Sequence, residues 1–227
     1  MDGPSRNPGT SKHRATGATT WPAHGVFMSL AAPFHMPRWE WRTFAPSLSL
    51  REFLLGTPEV GHEDSHEISL LCPQSLHDVR IRGEVIRLKW RKQIGPEGLE
   101  LWDPVLRSTF PCPAEVVLRL FEAWGFPAPD LSRDSYTRPQ FLTEIVPQGP
   151  DLRAVEIDRR AQVFHLDGVR CEWIKLNADD VKLECFCVEH EDPVLTLQVI
   201  RRLGFRVQGN TSYSQGLKAA LHFPTQH

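Results

Sequence analysis

The chain has 227 residues, a formal net charge of −2, 41% hydrophobic residues and 24% charged residues. That length fits one large domain or two small ones, and the near-neutral balance argues against a generally basic nucleic-acid binder. No apolar run approaches the roughly 20 residues of a membrane span, so no membrane partner is expected.

The cysteines (Cys72, Cys112, Cys171, Cys185 and Cys187) are odd in number and form no zinc-type Cys-x-x-Cys pair. They read as buried free thiols in a reducing cytoplasm. Residues 1–35 are rich in Gly, Pro, Ser and Thr without periodicity and read as a disordered extension. Met28 or Met36, both ahead of the first strand, is an alternative start. A single domain is expected over 36–222.

In chain order, Arg38 to Phe44 alternates and is aromatic, which predicts a strand. Residues 47–56 place Leu50, Phe53 and Leu54 on one helical face ending at Gly56. Residues 58–65 read as a loop and His66 to Leu71 as a strand. A cationic hairpin follows, VRIRGEVIRLKWRK. Leu99 to Phe110 reads as a strand broken near Pro104, and Pro113 starts a helix with Val116, Val117, Leu120, Phe121 and Trp124 as its apolar stripe. Phe141 to Val146, Ala154 to His165, Arg170 to Leu176 and Val181 to Glu189 all read as strands, with turn signals at 166–168 and 177–180. Asp192-Pro193 opens a helix ending at Gly204, and a short helix spans Gln215 to Leu221. The two series of strands, each followed by a helix opened by proline, suggest an internal duplication of about 80 residues.

The hairpin carries the strongest functional signal. Side chains alternate across a strand, so Arg80 and Arg82 share one face, as do Arg87, Lys89 and Arg91. Like charges facing one another repel, so an anion is expected against that face; the alternative is a solvated face of an open sheet. Many antiparallel strands with a few helices indicate an α+β domain. With one sheet face charged and the other apolar, closure into a barrel puts the charge in the bore and removes the edges.

The pieces Arg38-Trp39-Glu40-Trp41-Arg42, Arg80-Ile81-Arg82, Leu88-Lys89-Trp90-Arg91, Lys182-Leu183-Glu184 and Thr211-Ser212-Tyr213-Ser214, in this order, resemble the CYTH superfamily of triphosphate tunnel metalloenzymes. The resemblance spans residues 38–221. It implies an eight-stranded antiparallel tunnel, a phosphate-rich small anion (triphosphate, polyphosphate or nucleotide) held by Arg and Lys, and Mg²⁺ or Mn²⁺ held by glutamates. The implied phosphate ligands are Arg38, Arg42, Arg80, Arg82, Arg87, Lys89, Arg91, Arg160 and Lys182. The implied metal ligands are Glu40, Glu172 and Glu184, with Glu40 and Glu184 as the catalytic carboxylates. Of the neighbours Arg159 and Arg160, the latter is favoured for the bore because it shares a face with Glu156 and Asp158. Alternation does not settle the facing of Glu172. Lys182 and Glu184 oppose Leu183, Cys185 and Cys187, which places them in the bore.

The resemblance also implies a metal-dependent triphosphate phosphohydrolase, rather than an adenylyl cyclase, and a possible homodimer. The family's first-strand Glu-x-Glu-x-Lys reads here Arg38, Glu40, Arg42. A cation in place of a metal-binding carboxylate argues against a two-metal site, and phosphoryl transfer depends on metal neutralisation of charge. Three functions follow: a tunnel phosphohydrolase, a binding module of the same fold without turnover, or a structural or partner-binding domain whose bore is closed by salt bridges.

Overall fold

The computed structural model describes residues 36–44, 56–206 and 209–223, with positions 50, 52 and 54 between them. The expected N-terminal extension, with Met28, lies outside the described residues.

Eight antiparallel strands close a barrel: β1 (Arg38–Phe44), β2 (Glu59–Leu71), β3 (Asp78–Arg82), β4 (Val85–Ile94), β5 (Glu100–Thr109), β8 (Arg153–Leu166), β9 (Val169–Ala178) and β10 (Val181–His190), in the spatial order β1-β10-β9-β8-β2-β3-β4-β5. β6 (Cys112–Pro113) and β7 (Ser135–Tyr136) form a separate two-stranded ladder. The tight turns follow from local sequence. Asp167 and Gly168 both have positive φ (52° and 80°), as do Asp179 and Asp180 (45° and 68°). Two consecutive left-handed residues match the twist of the flanking strands, and Asp and Gly tolerate that conformation.

Three apolar layers organise the fold. Helix α1 (Ala114–Trp124) covers the outer face of β2–β4, packing Val117, Leu120, Phe121 and Trp124 with Ile68, Leu70, Val79, Ile81, Ile86 and Leu88. Helix α3 (Pro193–Arg202) starts at Asp192, whose side chain accepts from the Val194 N–H. It packs Leu197, Val199 and Ile200 with Trp39, Trp41, Trp173, Phe186 and Val188 on the outer face of β1, β9 and β10. The third layer lies inside the barrel. Leu71, Val155, Ile157, Ala161, Ile174, Leu176, Ala178, Cys185 and Cys187 pack with Tyr213 and Leu217 of helix α4 (Tyr213–Ala220). One end of the bore is thus apolar and filled, with the C-terminal helix as its stopper.

Two expected elements differ. Of the expected loop 58–65, residues 59–65 belong to β2, which pairs with β8 in a ladder from Glu59 to Leu71. Phe141–Ile145 is a helical turn rather than a strand. It continues α2 (Arg138–Gln140), whose start is fixed by a capping box between Thr137 and Gln140. The i,i+4 pair Phe141 and Ile145 is buried in the layer under α1, and the alternation in FLTEIV is outweighed by this cap.

Helix α4 sits close enough to β1 that a Cβ on Gly216 would lie 1.8 Å from Phe44 Cε2. Overpacking of this kind costs about 1–3 kcal/mol. Gly216→Ala is therefore expected to lower the melting temperature by roughly 2–10 °C, measured by circular dichroism; an unchanged melting temperature would contradict this packing.

Candidate functional site

The bore face follows from cross-strand register, because directly paired residues point the same way. Ser69, Arg80, Arg87 and Arg107 align across β2–β5. Arg42 aligns with Cys187 and Glu172, and Glu40 with Glu189 and Arg170. Arg38, Glu40, Arg42, Arg80, Arg82, Arg87, Lys89 and Arg91 therefore all face the bore, as the alternation predicts.

Most of these cations are neutralised from within. Glu67, 1% exposed, accepts from Arg82 at 2.7 Å, from Arg80 at 3.4 Å and from the Tyr213 hydroxyl at 2.7 Å. Arg80 also pairs with Asp78 and stacks on the Tyr213 ring, 4.4 Å from its centroid. Lys89 Nζ lies 2.6 Å from Glu40 Oε1, Arg91 Nη1 lies 2.7 Å from Glu100 Oε1 and Arg38 Nη1 lies 2.9 Å from Glu189 Oε1. Glu172 accepts from Arg159 Nη2 at 2.7 Å and from Arg170, which also reaches Glu63 and Glu189.

The protonation states follow from this pairing. Burial alone would raise the Glu67 pKa, but Arg80, Arg82 and the Tyr213 hydrogen bond bring it from 4.5 to about 2. Burial likewise works against the Glu40 and Glu172 carboxylates, yet Lys89 with Arg42, and Arg159 with Arg170, hold both below the usual range. The Cys185 and Cys187 thiols are pushed up, chiefly by burial, and so stay neutral. Arg42, 7% exposed, donates to Cys185 Sγ at 3.4 Å and lies 5.2 Å from the Tyr213 centroid. Burial disfavours its charge, but its pKa is nevertheless raised well above the ordinary guanidinium value. With the thiols neutral, Glu40 and Glu172 supply the balancing negative charge.

Three expected positions lie elsewhere. Arg160 is on the exposed outer face of β8, and its neighbour Arg159 (6% exposed) enters the bore. Lys182 and Glu184 point outward from β10, while Leu183, Cys185 and Cys187 point in. The reason is that this end of the bore is apolar, which reverses the expected facing of β10. Glu172 faces the bore alongside Ile174 and Leu176, at the border between the charged and apolar layers. Glu63, Glu67, Asp78, Glu100, Arg107, Arg170 and Glu189 join the bore network without having been singled out in the sequence, as do Arg159, the less favoured of its pair, and Tyr213, known there only as part of the closing Ser-Tyr piece. For Glu67 a signal was present, since it alternates with the buried Ile68 and Leu70.

The carboxylates implied as metal ligands do not come together. Glu184 is outside, Glu40 is bound to Lys89, and Glu172 is bound to two arginines. Among the described residues, no three His, Cys, Asp or Glu side chains are placed to hold a metal ion. A hard divalent cation needs several free oxygen ligands, and these residues do not fit Mg²⁺ or Mn²⁺.

No family model and no curated protein matches the sequence. Solved structures similar to the chain include the PH1012 protein of Pyrococcus horikoshii, 15% identical with a TM-score of 0.41, covering 78% of this chain and 97% of that one. Another is a candidate adenylyl cyclase from Hippeastrum with a dominant triphosphatase activity, 13% identical with a TM-score of 0.44, covering 79% and 94%. A third is a candidate adenylate cyclase from Bacillus halodurans, 10% identical with a TM-score of 0.45, covering 80% and 98%. What decides the fold is the closed eight-stranded antiparallel barrel with its charged bore. That closed barrel is the architecture expected from the strand pattern. No described helix is long and apolar enough to cross a membrane.

One part of this bore is not neutralised. Arg87 and Arg107 are directly paired on β4 and β5, are both exposed, and have no carboxylate within 4.0 Å among the described residues. The Arg87 pKa is lowered, first by partial burial and then by Arg107, Arg82 and Arg80.

The Glu67 network sets an acid limit on stability. Its folded pKa of about 2 lies below the ordinary 4.5, a gap equivalent to about 3 kcal/mol. The contribution is complete above pH 4.5 and is lost as pH falls toward 2, because the unfolded chain takes up the proton first. Glu67→Gln is expected to destabilise the protein by about 3 kcal/mol at pH 7, with the difference from the native protein closing at pH 2–3. Urea unfolding at both pH values measures this; a pH-independent difference would contradict the assignment.

Proposed function

We propose that the protein binds a phosphate-rich small anion at the Arg87–Arg107 pair of the bore, without a divalent metal and without turnover. The observation that carries this reading is the unneutralised pair Arg87 and Arg107. Elsewhere in the bore each cation has a carboxylate, a thiol or a tyrosine ring against it, so the open row is an exception that calls for an external counterion. Arg82, 39% exposed at its side chain but shared with Glu67, and Lys89, shared with Glu40, flank the pair. Guanidinium forks match phosphate oxygens bidentately, whereas an ammonium supplies a point charge. One phosphate group uses only part of two guanidinium forks on adjacent strands; a di- or triphosphate engages both more fully.

The absence of turnover rests on the carboxylates. Hydrolysis of a phosphoanhydride needs a positioned nucleophile and neutralisation of the charge that develops. Glu40 and Glu172, which would hold a metal or orient a water, are held by Lys89, Arg159 and Arg170. Arg38, the cation at the expected carboxylate position, is held by Glu189. The reading is therefore a tunnel that keeps an anion-binding wall and has exchanged its metal-binding wall for internal ion pairs.

Thermal unfolding with tripolyphosphate tests this. At a hundredfold excess over its dissociation constant, the ligand stabilises the folded state by about 2.7 kcal/mol, or roughly 5–10 °C for a domain of this size. The same shift is expected with Mg²⁺ and with a chelator, and no phosphate is released. The Arg87→Ala/Arg107→Ala variant is expected to melt slightly above the native protein, as like-charge repulsion is relieved, and to lose the shift. A shift that requires Mg²⁺, or release of phosphate, would restore the phosphohydrolase reading. No shift with any polyphosphate would leave the bore as a structural ion-pair network.

A further inference from the structure

The outer wall of the barrel holds a cavity of about 630 Å³, whose lining includes Leu54, Phe164 and Trp173 and the polar Asp64, Arg160 and Lys175. It belongs to neither the bore nor the arginine row. Its apolar side is supplied by Leu54, Phe164 and Trp173, each 5% exposed. These residues belong to the same apolar layer as α3, so the cavity opens at a border of that layer. Its polar side is set by register: Asp64, Arg160 and Lys175 align across β2, β8 and β9.

The polar groups are unequally engaged. Glu59 is held by His62 at 3.0 Å and by Gln162 at 2.9 Å. Lys175 reaches Glu184 only at 3.9 Å. The Arg160 side chain makes no hydrogen bond or ion pair with any described residue, although Asp64 is its register partner. A guanidinium and an ammonium on adjacent strands, beside an indole and a phenyl ring, form a cation-rimmed apolar floor. The volume falls within the roughly 300–1,000 Å³ of small-molecule sites, which are mostly apolar with a few orienting polar groups.

We infer that this cavity binds a small aromatic monoanion, a carboxylate or sulfonate, with its ring against Trp173 and Phe164 and its charge between Arg160 and Lys175. Asp64 beside Arg160 limits the site to a single negative charge and disfavours polyphosphates, which separates it from the bore. The site stands on its own lining residues and is independent of the proposed phosphate wall.

The probe is 8-anilinonaphthalene-1-sulfonate, an aromatic ring system with one sulfonate, titrated into the full chain and followed by its fluorescence. Saturable one-to-one binding is expected. It should weaken about tenfold or more in Arg160→Glu and in Lys175→Glu, and an excess of tripolyphosphate should leave it unchanged. Both side chains are exposed, and Arg160→Gln, which removes the charge without reversing it, is expected to give an intermediate loss. Non-saturable binding, equal affinity in all three variants, or displacement by tripolyphosphate would overturn the assignment.

Discussion

The Glu67 carboxylate, shut away from water, is where three separate parts of the chain meet. Arg80 and Arg82 come from β3 and the Tyr213 hydroxyl from the C-terminal helix. A buried carboxylate is tolerable only when it is paired and hydrogen-bonded, so these partners are conditions for Glu67 to be there at all. The same contacts fix the end of the barrel. With Tyr213 tied to Glu67, Leu217 follows into the apolar layer formed by Leu71, Ile157 and Leu176. Lys218 Nζ, donating to the Ser75 carbonyl at 2.6 Å, holds the last turn of the helix against the β2–β3 connection. The stopper and the charged layer are thus one structure, joined through a phenol whose ring also lies against Arg42 and Arg80.

Above that junction, the bore solves the problem of concentrated positive charge by supplying its own counterions. Their distribution is uneven. Glu40, Glu100, Glu172 and Glu189 serve the cations of β1, β4, β8 and β9, while Arg87 and Arg107 face each other with none. An internal carboxylate competes with an external phosphate for the same guanidinium, so the fully paired regions are poor sites for an incoming anion, and only Arg87 and Arg107 among the described bore cations meet no such competition. The low dielectric that makes each internal pair strong also makes it costly to open. The same consideration weighs against a metal ion at Glu40, which would have to displace Lys89 first.

How far the sequence revealed this depended on whether alternation and charge agreed. In β3 and β4 they do: Val79, Ile81, Ile86 and Leu88 pack under α1, so the cations between them must face the bore. The Asp-Gly and Asp-Asp turns were legible for the same local reason. In β9 and β10 the rule of charge inside and apolar outside breaks down, because both faces are largely apolar there. Trp173, Phe186 and Val188 pack outward under α3, and Ile174, Cys185 and Cys187 pack inward. Lys182 and Glu184 then fall to the outer face. The choice of Arg160 over Arg159 failed in the same way: Glu156, Asp158 and Arg160 alternate as a solvated stripe, while Arg159 is committed to Glu172. The β2 extension was hidden because EVGHEDS has little strand propensity and owes its conformation to the long ladder with β8.

Arg38 illustrates why one strand read alone is not enough. On β1 it stands as a single exchange of carboxylate for cation, and reversing it would seem to restore a metal site. In the folded chain Arg38 is bound to Glu189, which also meets Arg170, which in turn binds Glu172 and Glu63. A glutamate at position 38 would face Glu189 as a like charge and leave Arg170 as its nearest compensation. Glu40 would remain bound to Lys89. Freeing enough oxygen ligands for a divalent ion would require changes on β1, β4 and β9 together, and removing one partner of a buried pair costs about 3–5 kcal/mol. The poor fit of these carboxylates to a divalent ion is a property of the whole counterion network, distributed over strands that are far apart in sequence and neighbours only in the closed barrel.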